Sequence, residues 1–264
     1  MRVLVSPVIN ALQDLGSIVW LLLDTGREMA VRIGRGRAPM RLSALFQQTE
    51  RAGVGSVPIV AMVSFFLGLT MALLTGYQLQ PYGTERLVPG LVGISFTREL
   101  GPLLTGIVVA ARIGAAFTAE LGTMKVSEEV EALEAMGIGP LRYLVAPRLL
   151  AVTFLLPCLS VVSCVAAIAA AALVSQLYLN ISFTYFDDLL LASLYVRDIL
   201  SGIGKSFLFG LIIGLVACFK GLSVQGGAEG VGTATTSSVV VSITTVIACD
   251  TLINMITVSG GGGS

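Results

Sequence analysis

The stretch TRELGPLLTGIVVAARIGAAFTAELG, Thr97–Gly122, decides how the chain is read. It is apolar enough to sit in a bilayer, yet it carries Arg98, Glu99, Arg112 and Glu120. A charge at the centre of a membrane helix costs at least ~2.5–3.5 kcal/mol on insertion scales, so such groups face protein or water rather than lipid. Gly106, Ala110 and Gly114 recur at four-residue spacing. That ridge of small side chains lets a second helix approach closely. One segment therefore serves as a packing surface and as a carrier of buried charge.

The rest of the chain has the same character. Of its 264 residues, 55% are hydrophobic and 12% charged, against about a quarter charged in soluble domains. Long apolar runs recur, which points to an all-α integral membrane protein rather than a barrel. The net charge is +0, which suggests no nucleic-acid partner. The absence of histidine excludes a His base, a His-liganded zinc and a Ser-His-Asp triad. Cys158, Cys164, Cys218 and Cys249 lie in apolar segments without CxxC spacing and read as small buried hydrophobes. No catalytic or metal site is expected.

Residues 1–53 form an N-terminal surface region. Residues 8–31 follow helical spacing, with Val8, Ala11, Leu12, Leu15, Ile18 and Val19 opposite Gln13, Asp14 and Ser17. The run suits an amphipathic helix in the membrane interface anchored by Trp20, or an ordinary packed helix. Arg27, Arg32, Arg35, Arg37 and Arg41 follow and place this end in the cytoplasm. Leu42–Ala52 reads as a second short helix. The start lacks the pattern of a cleaved signal peptide, and Ser259–Ser264 reads as a flexible linker.

Residues 54–258 hold five spans, at about 54–77, 90–118, 147–177, 199–219 and 234–256. An odd number leaves the C-terminus outside. Pro157 is expected to kink the third span. Asn180–Asp198 is aromatic and acidic and reads as a short helix on the outer membrane surface. Lys220–Thr233 reads as a Gly-rich inside loop. Between spans two and three, a polar segment suggests a short cytoplasmic helix at about 127–137. Ser127 is its expected N-cap, Glu128 and Glu129 suit its positive end, and Gly137 is its expected terminating glycine.

At 1.5 Å per residue, Arg98, Glu99, Lys205 and Asp250 all fall roughly 9–13 Å below the outer boundary. Two are basic and two acidic, so mutual pairing is the economical arrangement. They either lock helix packing or bind a polar head group. At 100° per residue Arg98, Arg112 and Glu120 lie within ~80° of one another, a register that Gly101-Pro102 disturbs. Arg112 and Glu120 lie nearer the cytoplasm, where snorkelling or helix-end pairing accounts for them.

Some motifs mislead. SGIGKS at Ser201–Ser206 echoes a phosphate-binding loop, but the first glycine of that pattern is replaced by Ile199. Gly226, Gly227, Gly230 and Gly232 have no lysine to hold a phosphate. Glu128, Glu129, Glu131 and Glu134 read as a solvated helix face.

Three segments together carry a resemblance: TRELGPLLTGIVVAARIGAAFTAELGTM (97–124), EALEAMGIGPLRYLVAPRLLA (131–151) and GVGTATTSSVV (230–240). They resemble the signature regions of the MlaE/YrbE permeases, membrane subunits of ABC-type lipid transporters that work with MCE proteins. The resemblance implies five spans behind an N-terminal interfacial helix, a homodimer, and a bacterial inner-membrane location with a periplasmic C-terminus. It implies a cytoplasmic ABC ATPase that carries the ATP, a periplasmic MCE-domain partner and in some systems a STAS-domain protein, with membrane lipid as cargo. No cofactor belongs to the chain itself. The helix at 127–137 becomes the coupling helix, with Glu131, Leu133, Glu134, Met136 and Gly137 as coupling positions. Gly139 and Thr233 depart from residues common in relatives. The competing readings are a secondary transporter driven by an ion gradient and a membrane scaffold that transports nothing.

Overall fold

The computed structural model describes Gly16, Trp20, Arg27, residues 48–50 and residues 53–261. The expected interfacial helix, apart from three isolated helical positions, and the arginine-rich stretch lie outside the described residues. Among the described residues the protein is 91% helical without a strand. Among the described residues, five helical stretches are long and apolar enough to cross a membrane: Val57–Tyr82, Glu85–Val126, Leu141–Tyr178, Val196–Leu222 and Gly227–Thr257. Each expected span is present and runs longer than its apolar centre suggests, because polar ends continue the helical hydrogen bonding.

Two compact units divide the chain. One comprises Arg51–Val109, Thr153–Gly210 and Val246–Ser264. It opens with α1 (Val57–Leu79), which has Pro58 in its first turn, where a missing N–H costs least. After two short 3-10 turns comes α2 (Val88–Ser95), then the π-helical turn Phe96–Leu100 and α3 (Gly101–Val109). Gly68 lets α1 meet the backbone at Ala167, since a Cβ there would stand 2.3 Å from the Ala167 carbonyl oxygen. The Ser64 and Ser163 hydroxyls bond across the same contact at 2.6 Å. In lipid, close backbone approach and interhelical hydrogen bonds of this kind replace the hydrophobic drive that assembles soluble cores.

The core of this unit gathers Ala72, Val88, Val92, Phe96, Ala171, Val174 and Phe186. Phe186 belongs to α7 (Phe183–Ser193), capped by the Ser182 hydroxyl accepting from the Tyr185 N–H. The expected surface helix is thus present and seated on α2, with Leu190 and Ser193 over Gly93 and Gly90. Tyr77, Tyr82, Tyr178, Tyr185 and Tyr195 are exposed at the helix ends of this unit, an interfacial aromatic belt in composition and placement.

The other unit comprises Met1–Glu50, Ala110–Val152 and Leu211–Thr245. A second π turn, Ala110–Gly114, leads into α4 (Ala115–Val126), and α5 (Glu129–Ala135) follows. A third π turn, Leu141–Val145, opens α6 (Ala146–Tyr178), and α8 (Val196–Leu222) and α9 (Gly227–Gly261) complete the chain. Val130 of α5 packs with Leu121, Leu144, Val145 and Cys218. The Thr118 hydroxyl lies 2.9 Å from the Gly114 carbonyl, 3.2 Å from the Ala217 carbonyl and 2.8 Å from the Ser238 hydroxyl, tying three spans.

Several local expectations change. Ser127 closes α4 rather than opening α5, its hydroxyl donating to the Thr123 carbonyl at 2.9 Å. Glu128 takes the cap position at φ +59, a left-handed conformation uncommon outside glycine. The Gly-rich inside loop shrinks to a turn: α8 runs to Leu222 and α9 begins at Gly227, with Gly226 and Gly227 at φ +90 and +74. Pro157 sits within α6, which continues on both sides of it. α9 extends through Ser259–Gly261, so the first residues of the expected linker prolong a helix.

The π turns have a partial explanation. Gly101 donates to the Phe96 carbonyl, five residues back, and Ala146 likewise to Leu141. Each is followed by a proline, Pro102 or Pro147, which has no N–H to continue the four-residue ladder. A wider turn accommodates that gap. The turn at Ala110–Gly114 has no such proline, and nothing in the structure explains it.

Candidate functional site

Glu99, Lys205 and Asp250 lie on three different helical segments of one unit, and their side chains meet. Glycine at position 202 makes this possible: a Cβ there would stand 2.1 Å from the Thr97 carbonyl oxygen. Backbone contact at that point brings Lys205, one helical turn further along α8, against the π turn that carries Arg98 and Glu99. The SGIGKS motif therefore serves as a close-approach site followed by a charge.

The Lys205 side chain is 2% exposed. Its ammonium donates to Glu99 Oε2 and to Asn254 Oδ1, the latter at 2.6 Å. It also stands 2.9 Å from Asp250 Oδ1, an ion-pair distance without the alignment of a hydrogen bond. The Asn254 amide donates to Glu99 Oε2 at 2.9 Å and to Asp250 Oδ2 at 3.4 Å. One ammonium and one amide thus separate two carboxylates. A buried ion pair is tolerated when additional hydrogen bonds complete it, and this one has them.

The outer side of the cluster is looser. Arg98 and Glu99 side chains are 34% and 30% exposed. Arg98 Nε lies 3.6 Å from Glu99 Oε1, and Arg98 Nη1 lies 3.8 Å from Asp198 Oδ1. Both distances exceed hydrogen-bond length. Asp198 Oδ2 accepts from the Tyr195 N–H at 3.2 Å. The site therefore has a sealed knot at Lys205 and an open rim at Arg98 and Glu99, with the Asp198 side chain, 12% exposed, at its edge.

All four charges singled out in the sequence belong to this cluster. Asp198 and Asn254 were missed. Their signals were present: Asn254 follows Asp250 by four residues, one turn on the same face, and Asp198 precedes Lys205 by seven. Asp198 lies in the segment flanking the expected fourth span, and Asn254, inside the expected fifth, carries no charge to mark it.

Away from this cluster, Glu120 pairs with Arg148 at 3.1 Å. Arg148 is buried, donates to the Leu144 carbonyl at 2.9 Å and lies over the Phe117 ring. Glu120 is thus tied to a residue of α6 rather than snorkelling. Arg112 is exposed and sits within the second π turn, so the simple angular relation between Arg98, Arg112 and Glu120 does not hold. Gly106, Ala110 and Gly114 are all buried.

The short helix α5 presents two faces. Val130 is buried and Leu133 packs partly against the same core. Glu131 accepts from the Lys125 ammonium, which holds its carboxyl below the ordinary 4.5. Glu134 and Met136 are exposed, as are Ile138 and Tyr143 beyond Gly137. Gly137 stands at φ +73 and donates to the Glu134 carbonyl, while Ile138 donates to that of Leu133, a glycine-terminated helix end.

Residues 45–256 match the family described as Permease MlaE. The chain belongs to the MlaE permease family. It is similar to a probable ABC transporter permease protein of Rickettsia typhi, 38% identical over 204 residues, covering 77% of this chain and 79% of that one. It is similar to the chloroplastic protein Trigalactosyldiacylglycerol 1 of Arabidopsis thaliana, 36% identical over 237 residues, covering 90% of this chain and 67% of the plant protein. A probable ABC transporter permease protein of Porphyra purpurea is 34% identical over 198 residues, 75% of each. MlaE membership makes this a multi-pass ABC transporter permease, a class of subunit that implies an ATPase partner.

Proposed function

We propose that the chain is the membrane subunit of a transporter that moves phospholipid, or a related lipid, between the bacterial inner membrane and the periplasmic side. ATP is hydrolysed on a separate cytoplasmic subunit. The chain acts as a homodimer with its C-terminus periplasmic, alongside an MCE-domain protein and, in some assemblies, a STAS-domain protein. The plant relative, named for a glycolipid, supports a lipid as cargo.

The observation that carries this reading is the mixed polar cluster in an otherwise apolar bundle. Charges at membrane depth are costly and mark pathways for polar groups. A lipid is amphipathic, so its passage needs a polar position for the head and apolar surface for the chains. The open rim at Arg98 and Glu99 supplies the former.

Coupling is assigned to the outward face of α5 and the turn after it. Met136 and Ile138 offer apolar contact, with Glu134 beside them. Leu133 and Glu131 hold the helix to its own bundle, and Gly137 shapes the turn.

Reconstitution of the chain with its ATPase and fluorescent phospholipid tests the proposal. ATP-dependent lipid movement is expected, lost on Arg98→Ala. Movement that follows a proton gradient without ATP would establish the secondary-transporter reading instead. An isolated chain that carries no lipid and recruits no ATPase would leave the scaffold.

A further inference from the structure

The rim of the polar cluster has a composition that selects among head groups, and this step rests on the head-group reading above. Lys205 is sealed and its ammonium is occupied by Glu99, Asn254 and Asp250. It is not available to a ligand. Glu99 uses Oε2 for Lys205 and Asn254, which leaves Oε1 facing Arg98 at 3.6 Å. Asp198 uses Oδ2 for the Tyr195 N–H, which leaves Oδ1 facing Arg98 at 3.8 Å. The guanidinium thus stands between two carboxylate oxygens without hydrogen-bonding either.

The spare capacity at the rim is one planar cation with unfilled donors and two unfilled anionic acceptors. A guanidinium matches a phosphate in bidentate fashion. Carboxylate oxygens match a primary ammonium, which has three donors. A trimethylammonium has no N–H to offer them and is recognised elsewhere by aromatic faces. The five ionisable members, Arg98, Lys205, Glu99, Asp198 and Asp250, carry two positive and three negative formal charges, a sum of −1. A head group with phosphate alone would add like charge, whereas a zwitterion adds none.

We infer that the Arg98–Glu99–Asp198 rim recognises a zwitterionic phospholipid head group bearing a primary ammonium. Phosphate sits at Arg98, and the ammonium at Glu99 Oε1 and Asp198 Oδ1.

The test uses the full chain with its ATPase in detergent. The complex is exchanged against an equimolar mixture of phosphatidylethanolamine, phosphatidylglycerol and phosphatidylcholine with identical acyl chains. Retained lipid is quantified by mass spectrometry. The wild type is expected to retain phosphatidylethanolamine about tenfold over phosphatidylglycerol, the order that one unit charge contributes at ~12 Å and an effective dielectric near 20. Asp198→Asn, which leaves the Lys205 knot untouched, should erase most of that preference. Equal retention of all three, or an anionic preference in the wild type, overturns the inference while leaving a head-group site in place. Retained lipid that is indifferent to both Arg98→Gln and Asp198→Asn removes the head-group reading itself. Arg98→Lys guards against misfolding: it should keep lipid bound yet lower the total, because an ammonium cannot make the bidentate contact.

Discussion

The Thr97 carbonyl oxygen occupies the space where a side chain on residue 202 would begin. A Cβ on Gly202 would lie 2.1 Å from it, closer than any real contact. That single backbone approach fixes the distance between the π turn and α8, and with it the pairing of Glu99 with Lys205.

Gly202→Val should therefore separate the two segments and destabilise the protein by about 1–3 kcal/mol or more, the cost of overpacking a tight site. Gly204, two residues on, meets nothing within 4 Å. Gly204→Ala should be neutral or slightly stabilising, since alanine is the better helix former. Thermal unfolding of the two variants in detergent checks the contrast, and equal effects would contradict the packing assignment.

Removing the cation from the knot leaves two carboxylates facing each other. Lys205→Met should cost about 3–5 kcal/mol, the penalty for breaking a buried pair from one side. Adding Glu99→Gln and Asp250→Asn should recover a substantial part of that loss, because the orphaned charges go with the cation. Denaturant or thermal titration of the single and triple variants measures it; a triple variant less stable than Lys205→Met alone would refute the pairing scheme.

On α5, Leu133 and Met136 should behave differently. Met136→Asp places a charge on the exposed face and should abolish ATPase co-purification with little change in melting temperature. Leu133→Asp puts a charge into the partly buried contact with the Val130 core and should lower stability by about 1–3 kcal/mol before any effect on the partner. If Met136→Asp retains the ATPase in full, the outward face is not the docking face.

The Lys125–Glu131 pair gives a pH signature. Glu131 has its carboxyl depressed in the folded protein, so its contribution is present above the ordinary value of 4.5 and fades as pH falls below it. Hydrogen exchange of α5 amides should quicken as pH falls below 4.5, relative to higher pH and after correction for intrinsic rates. Glu131→Gln should flatten that added rise. The same slope in both proteins would show that the ion pair does not hold α5.

Much of this was legible in the sequence, and the limits have physical causes. The spans and the four charges followed from hydropathy and from a 1.5 Å rise, because lipid leaves few ways to satisfy a backbone or hide a charge. Asp198 escaped because α8 runs past its apolar centre, which hydropathy cannot report, and Asn254 because an uncharged amide leaves no mark among charges placed by depth. The register between Arg98 and Glu120 failed because two π turns lie within that stretch. Gly101-Pro102 announced the first, while nothing in the residues announced the second. The Gly-rich loop misled because glycines at 226 and 227 make the turn, whereas Gly230 sits in the helix with its α-carbon against the Gln225 carbonyl.

The turn at Phe96–Leu100 has a genetic consequence. It carries one residue more than an ordinary helical turn, so it is the natural place to count insertions and deletions. Loss of a single codon there would keep the segment helical and apolar. The four residues left would close as an ordinary turn, about 400° at 100° each, and later side chains would keep nearly their present direction, whereas loss of one codon from a regular α-helical turn would swing them by about 100°. A deletion of that second kind would turn Gly106 off Phe209 and Val246. Single-residue deletion at Phe96 or Leu100 should accordingly disturb the packing of Gly106 less than deletion of Leu103 or Leu104.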